Sequence, residues 1–460
     1  MRSKRFVFGF LILSMLACNY VTQMVYPPTA TPSPSATPTQ TATATLSPTP
    51  ALQPAYIPPE CVAVPLATIP PDLALQATPE LQVKEISKEE QLNVFKELTH
   101  TVEQVYVYPD YNGKDWTEIK SRVQAKIETG LDTQSFYDEM SSMIGELGDE
   151  HSFFLSPLDV EESEAELRGD VEFVGVGIYG QPDFGRERLI VVSTFPGSPA
   201  EYGGIQDHDS ILAVDGQPIT EDFSIRLRGP QCSVVRLTVQ SPDEVPHDVM
   251  LVRYAIQGNV PIDARLVPSG DGSKVGYIFI PSFFDQTLPG QIKDALNQFG
   301  PLDGLILDLR MNGGGSSSVT YPILEYFIHG TLGTFVSHTD SRPLEIQANE
   351  IQNSQTVPLV VMVSQDTVSF GEIFAGLMQD SGRAQIVGET SLGNVEVLHG
   401  YDFEDGSQVW IAAETFTSAF SDTNWEETGI VPDVQAFAEW DTFYFENDPS
   451  IAAAVDLLGH

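Results

Sequence analysis

A serine lies where a predicted buried strand meets an amphipathic helix, in the segment from Val361 to Glu372. Ser369 stands at the junction, and apolar residues recur after it at helical spacing. Serine is a preferred N-cap residue, so this position alone needs no catalytic role. A helix N-terminus also supplies the N–H of the next residue, Phe370, and the positive end of the helix dipole. Both would stabilise an oxyanion, which makes Ser369 a candidate nucleophile.

A glycine-rich turn follows another predicted buried strand at residues 307–315, which read Leu-Asp-Leu-Arg-Met-Asn-Gly-Gly-Gly. Glycines let the backbone approach a neighbouring group closely, so this turn could supply a second oxyanion donor. A phosphate-binding loop is disfavoured because no lysine follows the glycines. The sequence has neither a His/Cys cluster at zinc-ligand spacing nor a dinucleotide fingerprint, so we expect no metal and no cofactor.

The elements that must position these turns change in type along the chain. Residues 88–147 carry three apolar stripes at helical spacing, and residues 171–240 read as short strands between Gly and Pro turns. From residue 275 onward strands and helices alternate. Such alternation predicts an α/β fold in which a largely parallel sheet is covered by helices on both faces.

The composition excludes some function classes. The chain has 460 residues, of which 42% are hydrophobic, so it can bury more than one core. Its formal net charge of −41, from 23 Lys and Arg against 64 Asp and Glu, disfavours nucleic-acid binding and docking on anionic lipid. A strongly hydrated, soluble surface is the preferred interpretation.

The N-terminus resembles a lipoprotein signal. Arg2, Lys4 and Arg5 precede an apolar run at residues 6–17, which is shorter than the roughly 18 residues of a spanning helix. Cys18 follows at once and would be lipidated, anchoring the protein to the outer face of a bacterial cell membrane. A plain secretory signal or an uncleaved anchor are the alternatives. Residues 27–60 are rich in Pro, Thr, Ser and Ala and predict an extended stalk.

Two further cysteines, Cys61 and Cys232, complete the cysteine content. Export to an oxidising compartment would permit a disulfide between them. Two free thiols are an equally open alternative, because sequence spacing does not give the distance between the two Cα atoms.

The two turns together resemble motifs of the C-terminal processing peptidases, also called tail-specific proteases. Residues 367–373 match the family's nucleophile motif with Ser369 as its middle serine, and residues 308–315 match its Asp-Leu-Arg-x-Asn-x-Gly-Gly turn. Segments 379–384, 387–389 and 429–433 match later motifs in the same order. The resemblance implies a ClpP/crotonase-like core with a helical domain and a PDZ domain, and it implies Gly314 and Phe370 as oxyanion donors.

The resemblance also implies how substrates are bound. Residues 197–216 look like part of the family's PDZ domain, whose strand receives the C-terminus of a peptide or protein substrate. The corresponding residues here are Val174, Gly175, Val176, Gly177 and Ile178. The implied domains are a signal peptide (1–18), a linker (19–84), a helical domain (85–165), a PDZ domain (166–256), a serine peptidase core (257–445) and a tail (446–460).

One position departs from the family. Its members place the lysine of a Ser–Lys dyad where this chain has Asn394, and an amide cannot deprotonate a serine. The related tricorn-type proteases use a Ser–His–Glu site instead. Carried over, that site would consist of Ser369, His151 and Glu426, with Glu427 as the alternate acid. His399 is a second candidate base.

Two other functions remain open at the level of sequence. Without the lysine, the chain could be an inactive pseudo-protease that binds chain ends through its PDZ domain. The anchor and stalk would also suit an adhesin or scaffold. The sequence specifies neither the substrate nor an oligomeric state.

Overall fold

The computed structural model describes residues 53–54, 56–63, 67–68, 84–149, 151–161, 173–220, 223–256 and 262–459. The predicted signal peptide with Cys18 lies outside these ranges, as does most of the predicted linker. The α-helices used below are α1 (Lys88–Val105), α2 (Trp116–Thr129), α3 (Thr133–Gly145), α4 (Pro199–Tyr202), α5 (Phe223–Leu227), α6 (Leu288–Phe299), α7 (Ser317–Phe327), α8 (Phe370–Asp380), α9 (Trp425–Thr428) and α10 (Pro449–Leu458).

The strands belong to three larger sheets and one pair in the described part of the chain. They are β1 (Ala67–Thr68), β2 (Phe153–Leu155), β3 (Phe173–Gly175), β4 (Ile178–Asp183), β5 (Arg188–Thr194), β6 (Ser210–Val214), β7 (Gln217–Pro218), β8 (Ser233–Gln240), β9 (His247–Val252), β10 (Tyr254–Ile256), β11 (Ala264–Val267), β12 (Val275–Phe279), β13 (Gly304–Asp308), β14 (Gly330–Ser337), β15 (Ser341–Ile346), β16 (Leu359–Val363), β17 (Gln385–Gly388), β18 (Val397–Asp402), β19 (Gln408–Ser418) and β20 (Val434–Gln435).

The helical region begins with strong capping. Ser87 caps α1 by accepting the N–H of Glu90, whose carboxylate accepts the N–H of Ser87 in return. Asp115 and Asp132 cap α2 and α3. The apolar faces of these helices share one hydrophobic cluster with β19 residues such as Val409. The helical region is therefore packed directly onto the sheet of β14, β15, β18 and β19, which β2 also joins.

The PDZ-like region has a core of its own. Its sheet has the order β1-β8-β6-β5-β4, with β7 beside β6 and β9 beside β8. Val191, Ile211 and Leu237 are fully buried in its cluster. The predicted peptide-binding run divides into two elements, because β3 ends at Gly175 and β4 begins at Ile178. Strand β4 lies at the edge of the sheet, so its outer backbone groups are available for strand addition.

The α/β prediction is confirmed in the core. Its sheet has the order β11-β12-β13-β16-β17-β20, and every pair is parallel except β11 with β12. Leu305 and Leu307 of β13 pack with the helix residues of α6, α7 and α8, while Ile306 packs with Ile451 of α10. Consecutive buried residues on β13 thus reflect a sheet covered on both faces.

Two predicted boundaries need correction. Residues from 446 onward, predicted as a tail, include α10, whose Ile451 and Ala454 are buried in the core cluster. Part of the predicted linker also packs on the PDZ-like sheet, since β1 pairs with β8. The question of the cysteines is resolved as well, because Cys61 and Cys232 form a disulfide that joins the linker to this region. The amino-acid composition of residues 446–460 and of the linker does not reveal that these segments pack on the fold.

A buried ion network joins α10 to the core sheet. The Arg310 guanidinium donates to the carboxylate of Asp308, the last residue of β13, and to Asp448, which caps α10. The side chains of Asp308 and Asp448 are 0% and 1% exposed. Arg310 also lies over the Trp440 ring at 5.0 Å. Removing the cation would leave two buried carboxylates without their counterion.

We therefore expect Arg310→Met to lower the free energy of unfolding by about 3–5 kcal/mol, the usual cost of breaking a buried ion pair. Arg265→Met is the matched control, because the side chains of Arg265 and its partner Asp263 are 42% and 31% exposed, and such solvent-accessible pairs contribute about 1 kcal/mol or less. Denaturant titrations of the two variants measure the difference. Equal losses would contradict the structural role of the Arg310 network.

Candidate active site

Ser369 lies in a strained turn between β16 and α8. Its φ of 57° and ψ of −124° are unusual for a residue other than glycine, and such strain concentrates at functional positions. The Ser369 N–H donates to the Asn394 carbonyl at 2.9 Å, which holds the turn against a second loop. The residue is only partly buried, so the predicted nucleophile is not sealed inside the core.

The predicted oxyanion donors lie on both sides of this turn. Phe370 is the first residue of α8, so its N–H has no acceptor within the helix. Gly314 has φ of 91°, and a Cβ added to it would lie 2.8 Å from the Ser369 Cβ. Glycine is therefore required for this close approach. The Gly314 N–H already donates to Asn312 Oδ1 at 2.9 Å, so an oxyanion would have to share or replace that bond.

A buried carboxylate holds the nucleophile turn and the neighbouring loop together. Glu372 is fully buried and accepts hydrogen bonds from the backbone N–H groups of Ser369, Gly393 and Asn394 and from the Ser391 hydroxyl. Burial raises the pKa of Glu372, and the four donors oppose that rise by stabilising the ionised form. This interaction brings position 394 to the nucleophile.

Asn394, which the sequence comparison with the family motif aligned with a lysine, lies beside Ser369. Its side chain is 4% exposed, and its Oδ1 atom is buried without a hydrogen-bond partner in the described part of the chain. The residue contacts Ser369 through its backbone carbonyl. An amide here cannot serve as a base, so a base must come from elsewhere.

His151 reaches the same loop from the helical region. Asp149 Oδ1 accepts the N–H groups of His151 and Ser152 at 3.0 and 2.8 Å, which shapes the turn before β2. The His151 side chain is 9% exposed, and its Nδ1 atom lies 3.6 Å from Glu396 Oε2. Among the described residues, no hydrogen bond joins His151 to Ser369. Residues 394–396 connect the two, through Asn394 on one side and Glu396 on the other.

Glu396 is a site residue that the sequence reasoning missed. It is 2% exposed, and Tyr108 donates its hydroxyl to Glu396 Oε1 at 2.7 Å. The interactions with His151, Glu426 and Tyr108 outweigh burial and lower the pKa of the Glu396 carboxyl. Its only sequence signal is a charged residue between Val395 and Val397 in an otherwise apolar run.

The predicted acid Glu426 contacts Glu396 rather than His151. Its Oε2 atom accepts the Val395 N–H at 2.7 Å. Burial, followed by the neighbouring Glu396 carboxyl, raises the pKa of Glu426 to about 9. The alternate acid Glu427 is exposed and accepts from the Asn424 side chain at 3.0 Å, so the structure does not bring it to His151.

The other candidate base, His399, lies in a different cluster. Its Nε2 atom is 3.3 Å from Glu414 Oε2, and its side chain is 45% exposed. Arg342 neutralises the same Glu414 carboxylate with two short hydrogen bonds. His399 therefore has a structural partner of its own, and the geometry favours His151 as the base nearest the nucleophile loop.

The described residues hold no group of three or more His, Cys, Asp or Glu side chains that could bind a metal ion. They also include no helix long and apolar enough to cross a membrane.

Three family models match the chain in succession. The model described as the Tricorn protease C1 domain matches residues 87–145, the PDZ domain model matches residues 164–240, and the Peptidase family S41 model matches residues 274–436. These matches cover the helical region, the PDZ-like region and the core that carries Ser369.

Individual proteins match over most of the chain. A carboxyl-terminal-processing protease of Picosynechococcus sp. is 31% identical over 370 residues, which covers 78% of this chain and 86% of that protein. A protein of the same name from Synechocystis sp. is 29% identical over 369 residues, 78% of this chain and 84% of its own. The solved photosystem II D1 C-terminal processing protease aligns with a TM-score of 0.56 and 25% identity, covering 82% of this chain and 98% of that one.

The close contact of the two turns yields a prediction for Gly314→Ala. A methyl group there meets the Ser369 Cβ and forces an L-residue into a left-handed conformation, so we expect a loss of about 1–3 kcal/mol in stability. Gly290→Ala is the control, because a Cβ at that glycine meets nothing within 4 Å. Thermal melting of both variants measures the effect. A melting temperature unchanged in Gly314→Ala would contradict the described approach of the two turns.

Proposed function

The chain belongs to the carboxyl-terminal-processing protease family, peptidase family S41, and we propose that it is an extracytoplasmic serine peptidase that cleaves peptide bonds through an acyl-enzyme on Ser369. One observation carries the proposal. A partly exposed serine in a strained strand-to-helix turn is bound to a loop whose Glu396 lies 3.6 Å from a buried histidine. These are the parts of an activated nucleophile.

The chemistry would proceed in two steps. The Ser369 Oγ attacks the substrate carbonyl, and its proton passes to His151 Nε2. The N–H groups of Phe370 and Gly314 stabilise the oxyanion. His151 then protonates the leaving amine, the peptide C–N bond breaks, and the acyl group remains on Ser369. A water molecule attacks this ester in the second step and gives one proton to His151, which passes it to Ser369 Oγ as the ester C–O bond breaks and the new carboxyl group is released.

The Ser–His assignment is supported by the chemistry of position 394. Asn394 has no basic nitrogen, whereas His has an unperturbed pKa near 6.5 and suits a base near neutrality. The present geometry lacks a hydrogen bond between Ser369 and His151. Catalytic hydrogen bonds are often long in the absence of substrate and tighten when it binds, so this geometry is compatible with activity.

Substrates would be received at the edge of the PDZ-like sheet. An extended C-terminus can add to β4 by pairing with its unpaired backbone groups. Of the predicted residues, Val174 and Gly175 end β3, Val176 and Gly177 form the turn, and Ile178 begins β4. Gly177 has φ of 76° there, a conformation that glycine adopts without strain.

The proposed location outside the cytoplasm rests on two features. The N-terminal residues resemble a signal followed by a lipidated Cys18 and a Pro-rich stalk. The Cys61–Cys232 disulfide supports an oxidising compartment, where such bonds persist. The protein would then contact the membrane through the lipid on Cys18.

Proteolysis of an intrinsically disordered polypeptide tests the activity. We expect wild type to cleave it, while Ser369→Ala and His151→Ala lose at least about 1000-fold in kcat/KM, as removal of a triad member does. His399→Ala is the matched control and should retain activity, because His399 pairs with Glu414. A fluorophosphonate probe should label Ser369 in wild type and in His399→Ala, and it should label neither Ser369→Ala nor His151→Ala. Undiminished turnover in Ser369→Ala would refute the nucleophile.

The same experiment addresses the alternative of a pseudo-protease. That function predicts binding of C-terminal peptides without any turnover or probe labelling in wild type. Titration of peptides that differ only in a free or an amidated C-terminus, measured with wild type, separates binding from cleavage.

A further inference from the structure

We propose that Glu396, and not Glu426, is the carboxylate that orients His151, and that the two carboxyl groups share one proton that resides on Glu426. The inference rests on the proposed function, since it assigns a positioning role within the same site. It extends that function, because it makes a residue outside the motifs responsible for the state of the base.

The first step is the geometry around His151. Its Nδ1 atom and Glu396 Oε2 are 3.6 Å apart, and both are buried atoms that make no hydrogen bond in the described residues. Buried polar atoms are rarely left without a partner. A closure of a few tenths of an ångström joins them. His151 would then donate Nδ1–H to Glu396, which leaves Nε2 as the basic nitrogen.

The second step concerns the ionisation of Glu396. Its Oε1 atom accepts the Tyr108 hydroxyl at 2.7 Å, so a donor is already supplied to the carboxylate. Burial and the adjacent Glu396 raise the pKa of Tyr108, which keeps that hydroxyl protonated as a donor. An ionised carboxylate accepts hydrogen bonds only, and it can therefore accept from Tyr108 and His151 together.

The third step assigns the proton to Glu426. Two adjacent carboxyl groups in a buried place cannot both be ionised, and only Glu426 faces a raised pKa while that of Glu396 is lowered. The Val395 N–H binds Glu426 Oε2 and fixes the carboxyl beside Glu396. The pair thus presents a single negative charge to His151. The other titratable groups that act on this pair and on Tyr108 are Tyr106, Asp149 and Glu372.

The tautomer of His151 tests the assignment without requiring catalysis. In isotope-labelled Ser369→Ala protein, long-range nitrogen–proton spectra report which ring nitrogen carries the proton, and His151→Ala identifies the signals. We expect the Nδ1–H form, and we expect Glu396→Gln to remove it, because the single amide oxygen accepts the Tyr108 hydroxyl and the amide NH2, a donor, then faces His151 Nδ1. Glu404→Gln, an exposed glutamate, is the control and should change nothing. A tautomer unaltered by Glu396→Gln overturns the proposal.

Kinetics then separate positioning from folding. We expect Glu396→Gln to lower kcat by at least about 100-fold with KM within about twofold, because the base is lost and not the binding surface.

If Glu396→Gln does not fold, Tyr108→Phe replaces it. That variant removes one donor from Glu396 and should move the acidic limb of the rate profile to higher pH. An unmoved limb counts against the proposal. If wild type shows no turnover but the His151 tautomer still depends on Glu396, the peptidase activity is refuted. The pairing of His151 with Glu396 then still holds.

The proton on Glu426 is tested by stability against pH. Its folded pKa of about 9 lies above its ordinary value of 4.5, so the folded state binds the proton more tightly than the unfolded state. Wild-type stability should therefore lose this contribution as pH rises from about 5 to 9. Glu426→Gln mimics the protonated carboxyl and does not titrate. We expect its melting temperature, relative to wild type, to rise steadily from pH 5 to pH 9. A constant difference would show that Glu426 is ionised throughout.

Discussion

The buried carboxylate of Glu372 is bound by two segments that the fold brings together, the turn at Ser369 and the loop at residues 391–394. Burying a carboxylate away from water costs free energy unless its oxygens accept hydrogen bonds, and here they accept four. The arrangement forces the loop to follow the turn closely. This interaction therefore positions Asn394 in the loop and Glu396 directly after it.

The same loop connects the core to the helical region. From Asn394 it leads to Glu396, whose neighbours Tyr108 and His151 come from the loop after α1 and from the turn before β2. Strand β2 then pairs with β19 of the second sheet. The helical region is thus not a separate cap. Its packing decides the distance between His151 and the nucleophile loop, and a loss of that packing would remove the base.

The sequence predicted those parts of the structure that rest on local patterns. The alternation after residue 275 predicted the parallel sheet, and the serine at a helix start predicted the turn at Ser369, because both have a period or a cap that is visible over a few residues. Glu396 and α10 were missed for one common reason. Their roles depend on partners far away in the chain, such as His151 for Glu396 and Arg310 for Asp448 before α10, and no local pattern reports such a partner.

The uncharged side chain of Asn394 and the proposed role of Glu396 are electrostatically consistent with each other. A lysine ammonium at position 394 would place a positive charge beside Glu372, Glu396 and Glu426, and it would favour ionisation of all three carboxyls. A neutral amide carries no such charge. In the proposed mechanism the carboxyl pair then retains a proton, and the remaining negative charge is balanced by an imidazolium that forms only during the reaction. An uncharged residue at position 394 thus favours a transient cation on His151.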